Sequence, residues 1–193
     1  MDGVTELTTS ALIRAADSSD IDGILAVQRL AGRATDEKFR RSTAAAIDDP
    51  LRCFVVATVS EEIIGWATTR QFLEDDGPAP AGQYLMGITV APAHRRTGVG
   101  SALTAARLHW IEQDNSAAYY FTNVSNTASI ALHQSWTFRE IARGAEFRGV
   151  GFTNGVGVLF AADLARDPTA RGFRAPSPPA PSPPRTAPSP PRA

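Results

Sequence analysis

The chain contains 193 residues, which is enough for one α/β or α+β domain with a full core and too few for two typical domains. Its net charge is −1, but residues 171–193 hold four Arg and no acid, so residues 1–170 carry 15 basic and 20 acidic side chains, a net charge of −5. This balance argues against a nucleic-acid-binding protein, because such domains are usually basic. The single cysteine, Cys53, excludes an intramolecular disulfide and a Cys-based metal site.

The first residues also predict where the protein works. Asp2 and Glu6 stand where a secretory signal would carry basic residues, and no apolar run approaches the roughly 20 residues of a membrane span. Eighteen Arg against one Lys indicate a GC-rich gene and hence a bacterial source. We therefore expect a cytoplasmic, bacterial protein that binds neither membranes nor nucleic acids.

Eleven helices and strands are predicted in chain order. A strand at residues 11–15 is followed by a helix that Ser19 and Asp20 cap. The inward-facing positions of this helix are predicted to be Ile21, Ile24, Leu25 and Leu30. The next elements are a helix at 35–47, strands at 53–59 and 63–72, a loop at 74–82, a strand at 84–90 and a long helix at 98–113. The last are a strand at 119–124, a helix at 127–136 and strands at 137–148 and 152–162.

The order of these elements predicts one α+β domain. Hairpins give antiparallel strand pairs and crossover helices give parallel pairs, so we expect a central mixed, mostly antiparallel sheet with flanking helices. The predicted organisation is a flexible N-terminus at residues 1–10, the folded domain at 11–165 and a disordered Pro/Ser/Arg-rich tail at 166–193.

The tail repeats Ala-Pro-Ser-Pro-Pro three times, and nine of the 14 prolines lie between Pro176 and Pro191. Proline lacks a backbone N–H and has a fixed φ, so this stretch is expected to form neither helix nor sheet. Its PxxP spacing fits a ligand of a proline-recognising partner. We favour the other interpretation, a basic flexible tail without a dedicated partner.

The most informative segment is residues 84–103, in which a strand is followed by a basic, glycine-containing turn and a helix. The first backbone N–H groups of a helix have no intrahelical partner and carry the positive end of its dipole. Gly98 and Gly100 have no Cβ, so a ligand oxygen can approach these N–H groups closely. Arg95 and Arg96 add positive charge at the rim. The segment therefore predicts a site for a diphosphate.

Three kinds of phosphate-binding turn were compared with this segment. A P-loop needs a Lys before the Ser or Thr of the helix start, and Gly100-Ser101 lacks it. A Rossmann turn needs a third glycine where Leu103 stands. The third pattern is Arg-x-x-Gly-x-Gly after the strand end Ile88-Thr89-Val90-Ala91-Pro92. It resembles the acyl-coenzyme A site of the GNAT superfamily of N-acyltransferases.

Two further segments carry the same resemblance. Residues 126–138, Asn-Thr-Ala-Ser-Ile-Ala-Leu-His-Gln-Ser-Trp-Thr-Phe, resemble the family's other signature, and residues 12–21 resemble its first strand and helix entry. The resemblance covers about residues 11–162 and leaves only the termini out.

The resemblance implies a fold and a site for acetyl-CoA as co-substrate. The strand ending at Val90 should splay away from the strand at 119–124, often through a bulge, with the pantetheine arm in between. Backbone groups of Ile88, Thr89 and Val90 should pair with this arm, and the Val90 N–H should stabilise the oxyanion. Asn126 should contact the arm from the opposite side. The residues expected around the diphosphate are Arg95, Arg96, Thr97, Gly98, Val99, Gly100 and Ser101.

The sequence departs from the family pattern in its proton donors and acceptors. Many members carry a Tyr as the leaving-group acid seven positions after the Asn, and here His133 occupies that position. A histidine can donate a proton near neutral pH, so His133 is the candidate general acid, the other interpretation being a helix His that only bonds locally. The two central strands have no Glu, so a water molecule or a loop residue would take the amine proton. Thr137, where Gly is common, predicts a distorted helix end.

The predicted function is transfer of an acetyl group from acetyl-CoA to a primary amine, by direct attack through a tetrahedral intermediate. We expect a small-molecule acceptor, such as an amino-acid-like metabolite. The alternatives are an acetyltransferase for protein N-termini or lysines, and a coenzyme A-binding sensor or interaction protein without turnover. Nucleotide binding at the Gly98 turn is the weakest alternative. A homodimer is compatible with the sequence, and no metal is expected.

Overall fold

The computed structural model describes residues 11–152 and 156–166. The predicted flexible N-terminus, residues 1–10, and residues 167–193 of the predicted tail lie outside the described residues. The helices are α1 (Ile21–Leu30), α2 (Glu37–Ile47), α3 (Val99–Glu112) and α4 (Thr127–His133). The strands are β1 (Leu12–Ala15), β2 (Phe54–Val59), β3 (Glu62–Phe72), β4 (Gly82–Val90), β5 (Ala117–Asn123), β6 (Arg139–Gly144), β7 (Glu146–Phe147), β8 (Val150–Gly151) and β9 (Gly157–Asp163).

Seven strands form one sheet in the order β1-β2-β3-β4-β5-β9-β6, and β7 and β8 form a separate two-stranded ribbon. Every neighbouring pair in the large sheet is antiparallel except β4 and β5. These two are parallel because α3 crosses over between them and returns the chain in the same direction. A two-residue turn joins β2 to β3 and a nine-residue loop joins β3 to β4; neither contains a crossover helix, so both pairs are antiparallel. The predicted mixed, mostly antiparallel sheet is confirmed.

Helices cover both faces of the sheet. On one face, α3 takes part in a buried cluster whose members are Ile13, Cys53, Val55, Ala57, Ile64, Ala67, Val99 and Leu103. On the other face, α1 and α2 pack in a cluster formed by Ile24, Val27, Ala46, Phe54, Val56, Trp66 and Ala91. The β2–β4 half of the sheet is therefore buried on both sides, which explains why β2 is apolar without alternation.

The start and the inward face of α1 differ from the sequence-based expectation. Asp20 is the N-cap of α1, as predicted, but its side chain makes no capping hydrogen bond to this helix. The capping box lies one turn earlier, at the 3-10 helix Ser18–Asp20, where the Asp17 side chain accepts from the Ser19 N–H and the Asp20 side chain accepts from the Asp17 N–H. Leu30 was predicted to face inward, but 63% of it is exposed. It lies six residues after the buried Ile24, about one and two-thirds turns, and so falls on the opposite side of the helix.

The chain after β5 also differs from the prediction. α4 ends at His133 and not at Trp136, and the Trp136 N–H donates to the His133 carbonyl in a tight turn. The strand expected at 137–148 is divided into β6 and β7. Arg148 and Gly149 both have positive φ, 54° and 75°, and this turn reverses the chain from β7 into β8.

Candidate active site

β4 and β5 separate after a short stretch of pairing. Only two residue pairs join them, Gln83 with Ala118 and Tyr84 with Tyr119. Residues 85–90 of β4 then diverge from β5, and the sheet opens into a wedge between the two strands, which we call the gap. The predicted splaying of the two central strands is confirmed.

β4 contains a bulge where the gap begins. On β3, Ala67 and Thr69 are two residues apart, but their partners on β4, Ile88 and Leu85, are three residues apart. One extra residue is therefore inserted into β4 at positions 86–87. A bulge bends and twists its strand, so this one redirects β4 at the point where it leaves β5.

The backbone of β4 above the bulge presents hydrogen-bonding groups to the gap. The Ala91 N–H donates to the Ile64 carbonyl of the preceding strand β3, at 2.8 Å. In an antiparallel ladder only alternate residues bond to a given neighbour, so Thr89 and Ala91 face β3. Ile88 and Val90 consequently turn their N–H and C=O groups to the other side, which is the gap.

Thr89 is held by the other elements around it. Its hydroxyl donates to Oε1 of the buried Gln28 on α1, at 2.8 Å. Arg33, just after α1, donates from Nη1 to the Thr89 hydroxyl at 3.0 Å and to the Ile88 carbonyl at 3.3 Å. The backbone and side chain of Thr89 thus tie β4 to β3 and α1, whereas the N–H groups of Ile88 and Val90 face the gap without a partner on β3.

The N-terminus of α3 opens at the wide end of the gap. Gly98, the N-cap, has φ +90°, a conformation that favours glycine, and nothing lies within 4 Å of the position of a Cβ there. The Ala102 N–H makes the first helical bond, to the Gly98 carbonyl, at 3.0 Å. The N–H groups of Val99, Gly100 and Ser101 precede it and have no helical acceptor. They form a site with the chemistry that an anion requires.

The turn before α3 places positive charge next to these N–H groups. Arg95, Arg96 and Thr97 are exposed, and Arg96 has φ +65°, which is uncommon for a side-chain-bearing residue. The Arg95 Nε donates to the Val90 carbonyl at 3.2 Å, which links the turn to the last residue of β4. The Thr97 hydroxyl donates to the His94 carbonyl at 2.7 Å and closes the turn.

Asn126 stands on the opposite side of the gap, as the N-cap of α4. Its side-chain oxygen accepts from the Ser129 N–H at 3.2 Å, and its Nδ2 donates to the Thr122 hydroxyl of β5 at 3.0 Å. The side chain therefore joins α4 to the end of β5. Asn126 is exposed, so it also faces solvent at this side of the wedge.

His133 is buried, with 3% of its surface exposed, and its ring stacks on Tyr120 of β5 at a centroid distance of 4.2 Å. Its Nδ1 lies 2.8 Å from the Ser129 carbonyl, which can only accept, so Nδ1 carries the proton. Nε2 is buried and has no hydrogen-bond partner among the described residues. Burial, aided by the charge of Arg107, lowers the pKa of His133 to about 4. At neutral pH this imidazole is uncharged, and Nε2 can accept a proton but has none to donate.

Arg107 of α3 is a buried charge that the sequence reasoning missed. It is fully buried, and its Nη1 donates to the Thr68 carbonyl at 3.1 Å and to the Met86 carbonyl at 3.4 Å. The sequence contains a signal for this burial, since Arg107 lies four residues after Leu103 and four before Ile111, on the inward stripe of α3.

An aromatic cluster lines the sheet face opposite α3, beside the gap. Tyr120 packs on the α3 side, so its neighbours Tyr119 and Phe121 point to the other face. The cluster consists of Phe72, Ala79, Tyr84, Met86, Tyr119, Phe121, Ala142, Phe147, Phe152 and Leu159.

Arg148 holds the β7–β8 ribbon at the edge of this cluster. Its Nη1 donates to the Glu74 carbonyl and its Nη2 to the Ala79 carbonyl, each at 2.7 Å, and Nη2 also contacts the Pro80 carbonyl. The guanidinium lies over the Phe72 ring, 4.5 Å from its centroid. The ribbon is thereby fastened to the loop between β3 and β4.

Two findings concern the described part of the chain as a whole. Residues 11–152 and 156–166 contain no group of three or more His, Cys, Asp or Glu side chains that could hold a metal ion. None of the helices among them has the length and apolar character to cross a membrane.

Known structures share the fold of this chain. The ribosomal-protein-S18-alanine N-acetyltransferase of Escherichia coli aligns with a TM-score of 0.63 at 18% identity, over 80% of this chain and 94% of that one. The yncA protein of Salmonella typhimurium, solved with its cofactor acetyl-CoA, gives 0.63 at 20% identity, over 80% and 94%. A candidate phosphinothricin N-acetyltransferase gives 0.63 at 18% identity, over 80% and 99%. No curated protein matches the chain in sequence.

A family model identifies the chain itself. The model described as "Acetyltransferase (GNAT) family" matches residues 22–138, which include β4, the basic turn, α3 and α4. The match supports an enzyme, not a sensor without turnover, among the alternatives drawn from the sequence. With its splayed strands and exposed helix N-terminus, the chain belongs to the acetyltransferase (GNAT) family and is an acetyltransferase that uses acetyl-CoA as its donor.

Proposed function

We propose that the acetyl acceptor is the primary amine of a small molecule, such as an amino-acid-like metabolite. The names of the structural relatives do not indicate one class of acceptor, because one is named for a ribosomal protein and another for phosphinothricin. The observation that carries the proposal is the contact of Arg148 with the loop between β3 and β4. We infer that this contact limits the part of the sheet face from which an amine can reach the gap.

The shape of that face supports a small acceptor. α3 packs against the other face, so the amine approaches over the aromatic cluster, past Met86 and Phe121. The ribbon fastened by Arg148 bounds this approach on one side, and the segment after α1, held by Arg33 on β4, bounds it on the other. An aromatic floor with a few polar groups at its rim is typical of small-molecule sites. A polypeptide would need a longer open groove.

We propose the following roles for the residues around the donor. The N–H and C=O groups of Ile88 and Val90 that face the gap hold the pantetheine arm, with Thr89 keeping the strand in place, and the Val90 N–H stabilises the negative charge on the carbonyl oxygen. The first N–H groups of α3 hold the diphosphate with the basic turn. The residues of this second group are Arg95, Arg96, Thr97, Gly98, Val99, Gly100 and Ser101. Asn126 closes the site from the α4 side. Acetyl-CoA supplies an acetyl group activated as a thioester.

The chemical step then requires little from acidic or basic side chains. The amine nitrogen attacks the acetyl carbon, a C–N bond forms, the C–S bond breaks, and the electron pair leaves with the sulfur. The amine proton passes to water. His133, the candidate general acid, is neutral with its only ring proton bound to Ser129, so we favour solvent as the proton source for the sulfur.

An acceptor screen tests the proposal. The purified chain is incubated with acetyl-CoA and three sets of compounds: small primary amines and amino acids, peptides with a free N-terminus, and peptides with an internal lysine. Acetylated products are detected by mass. We expect the highest kcat/KM among the small amines. A higher kcat/KM for either peptide set would contradict the proposal.

The role of Arg148 provides a second test with a matched control. Arg148→Met removes the contacts that fasten the ribbon, so the KM for the amine should rise while the affinity for acetyl-CoA is unchanged. Arg143→Met removes an exposed arginine of β6 that forms a salt bridge with Glu140, and it should change neither value. If the two substitutions changed the KM for the amine equally, the ribbon would not be part of the acceptor site.

A further inference from the structure

The bulge of β4 leaves backbone carbonyls without a regular partner. Opposite the extra residue at 86–87, the carbonyl of Thr68 on β3 faces a position where the ladder is interrupted. A buried carbonyl without a donor is costly, so something must satisfy it. Arg107 does so, by reaching from α3 through the sheet face to the carbonyls of Thr68 and Met86.

The remaining contacts of Arg107 are also with neutral oxygens. Its Nε donates to the Leu103 carbonyl at 3.3 Å and its Nη2 to the Thr104 hydroxyl at 3.1 Å. None of the salt bridges among the described residues includes this guanidinium. Burial lowers the pKa of Arg107 to about 10, so the group still carries its charge at neutral pH. A full positive charge thus lies buried without a carboxylate.

Such an arrangement needs an explanation beyond hydrogen bonding. Burying a charge without a counter-charge costs far more than burying a neutral amide, and a Gln could also donate to the carbonyls of a bulge. The bulge marks the narrow end of the gap, where the two strands part. The reaction creates negative charge in this gap, first on the carbonyl oxygen and then on the leaving sulfur.

We propose that Arg107 is a positioning residue for acetyl transfer, which fixes the bulge of β4 with its hydrogen bonds and opposes, with its charge, the negative charge that develops in the gap. It acts through β4 and through space and does not touch the donor. The inference rests on the family's use of acetyl-CoA and is independent of the acceptor, so the acceptor screen and the test below can fail separately.

The test is a binding measurement that needs no turnover. Affinities of the full chain for coenzyme A and for desulfo-coenzyme A, which lacks the sulfur, are measured by calorimetry at pH 7 and pH 9. If the charge stabilises a bound thiolate and lowers the thiol pKa by about one unit from its ordinary value of about 8.5, the affinity ratio of the two ligands rises about sixfold between these pH values. Desulfo-coenzyme A corrects for the effects of pH on the diphosphate site. A ratio that stays constant in the wild-type chain overturns the proposal without any variant.

Two variants separate the charge from the hydrogen bonds. Arg107→Lys keeps the charge, so the ratio should still rise with pH. Arg107→Gln keeps a donor for the carbonyls but removes the charge, so the rise should disappear even where the protein remains folded by circular dichroism. If Arg107→Gln retains the full rise, Arg107 serves the stability of the bulge alone. If Arg107→Gln does not fold, the comparison of Arg107→Lys with the wild type decides, because a Lys variant without the rise contradicts a role of the charge.

Discussion

Replacement of His133 by Phe should make the free energy of unfolding less sensitive to acid. The pKa of His133 is lowered from 6.5 to about 4 in the folded chain, chiefly by burial. Between these values the unfolded chain binds a proton that the folded chain does not, so stability falls as the pH falls through this window. The full effect is about 3 kcal/mol, and about 2 kcal/mol of it is lost between pH 7 and pH 5.

Phenylalanine keeps the stacking on Tyr120 and removes the titrating group. His133→Phe should lose the bond to the Ser129 carbonyl at every pH, worth about 1 kcal/mol. Relative to wild type, it should regain about 2 kcal/mol at pH 5.

Urea unfolding followed by circular dichroism at pH 7 and pH 5 measures this difference. His109→Gln, on α3, gives the background of removing another imidazole, and the effect of His133→Phe must exceed it. If the difference in unfolding free energy between wild type and His133→Phe is the same at both pH values, His133 is not a buried neutral base. That result would support the assignment of His133 as general acid. Kinetics add a direct check, because an acid role predicts that His133→Phe lowers kcat far more than the affinity for acetyl-CoA.

Two further predictions concern the donor site and the tail. Gly100→Asp should weaken acetyl-CoA binding on the order of tenfold, because it places an anion among the free N–H groups of α3. The Asp should not lower the melting temperature, since an acid in the first turn suits the helix dipole. Gly100→Asn, whose side chain has the shape of Asp without the charge, should bind acetyl-CoA better than Gly100→Asp. Equal affinities for acetyl-CoA would show that the diphosphate does not bind at this turn. Deletion of residues 171–193 should leave kcat and the melting temperature unchanged, because the proline pattern predicts no share in the core, and a lower melting temperature would contradict it.

The main helices and strands of the fold could be predicted from local patterns in the sequence. The alternation of strands and helices predicted the mixed sheet, and Ser60 and Glu61 form the tight β2–β3 turn with φ of 49° and 71°. The turn before α3 was also predictable, because Gly98 and its basic neighbours are contiguous in sequence. That this turn binds the diphosphate stays a prediction. Such features depend on residues within a few positions of one another.

The predictions were wrong where residues far apart in the sequence determine the structure. Leu30 has the right chemistry for a core position, but the phase of α1 is set by Ile24 and Val27 against the sheet, and Leu30 falls outside that face. Asp20 holds the N-cap position of α1, but its carboxylate accepts from the Asp17 N–H and from both Nη atoms of Arg14, at 2.6 and 2.7 Å, and so does not cap the helix. Local preference alone could not reveal these partners.

The site residues missed by the sequence were those that serve the backbone of another element. The sequence analysis did not single out Arg107, because its acceptors, the carbonyls of Thr68 and Met86, lie on strands far away in the chain. In the same way, the interpretation of His133 depended on whether Nδ1 finds the Ser129 carbonyl and how deeply α4 is buried. A motif identifies the residue type at a position, but its protonation state comes from the packing.

The brevity of the pairing between β4 and β5 has a consequence for the life of the enzyme. Two residue pairs join the half-sheet β1–β4 to the half-sheet β5–β9–β6. A donor bound in the gap contacts both half-sheets and holds them together. By mass action, whatever braces only the native form shifts the balance away from unfolding. The chain without its acyl donor should therefore unfold more readily than the chain that holds it.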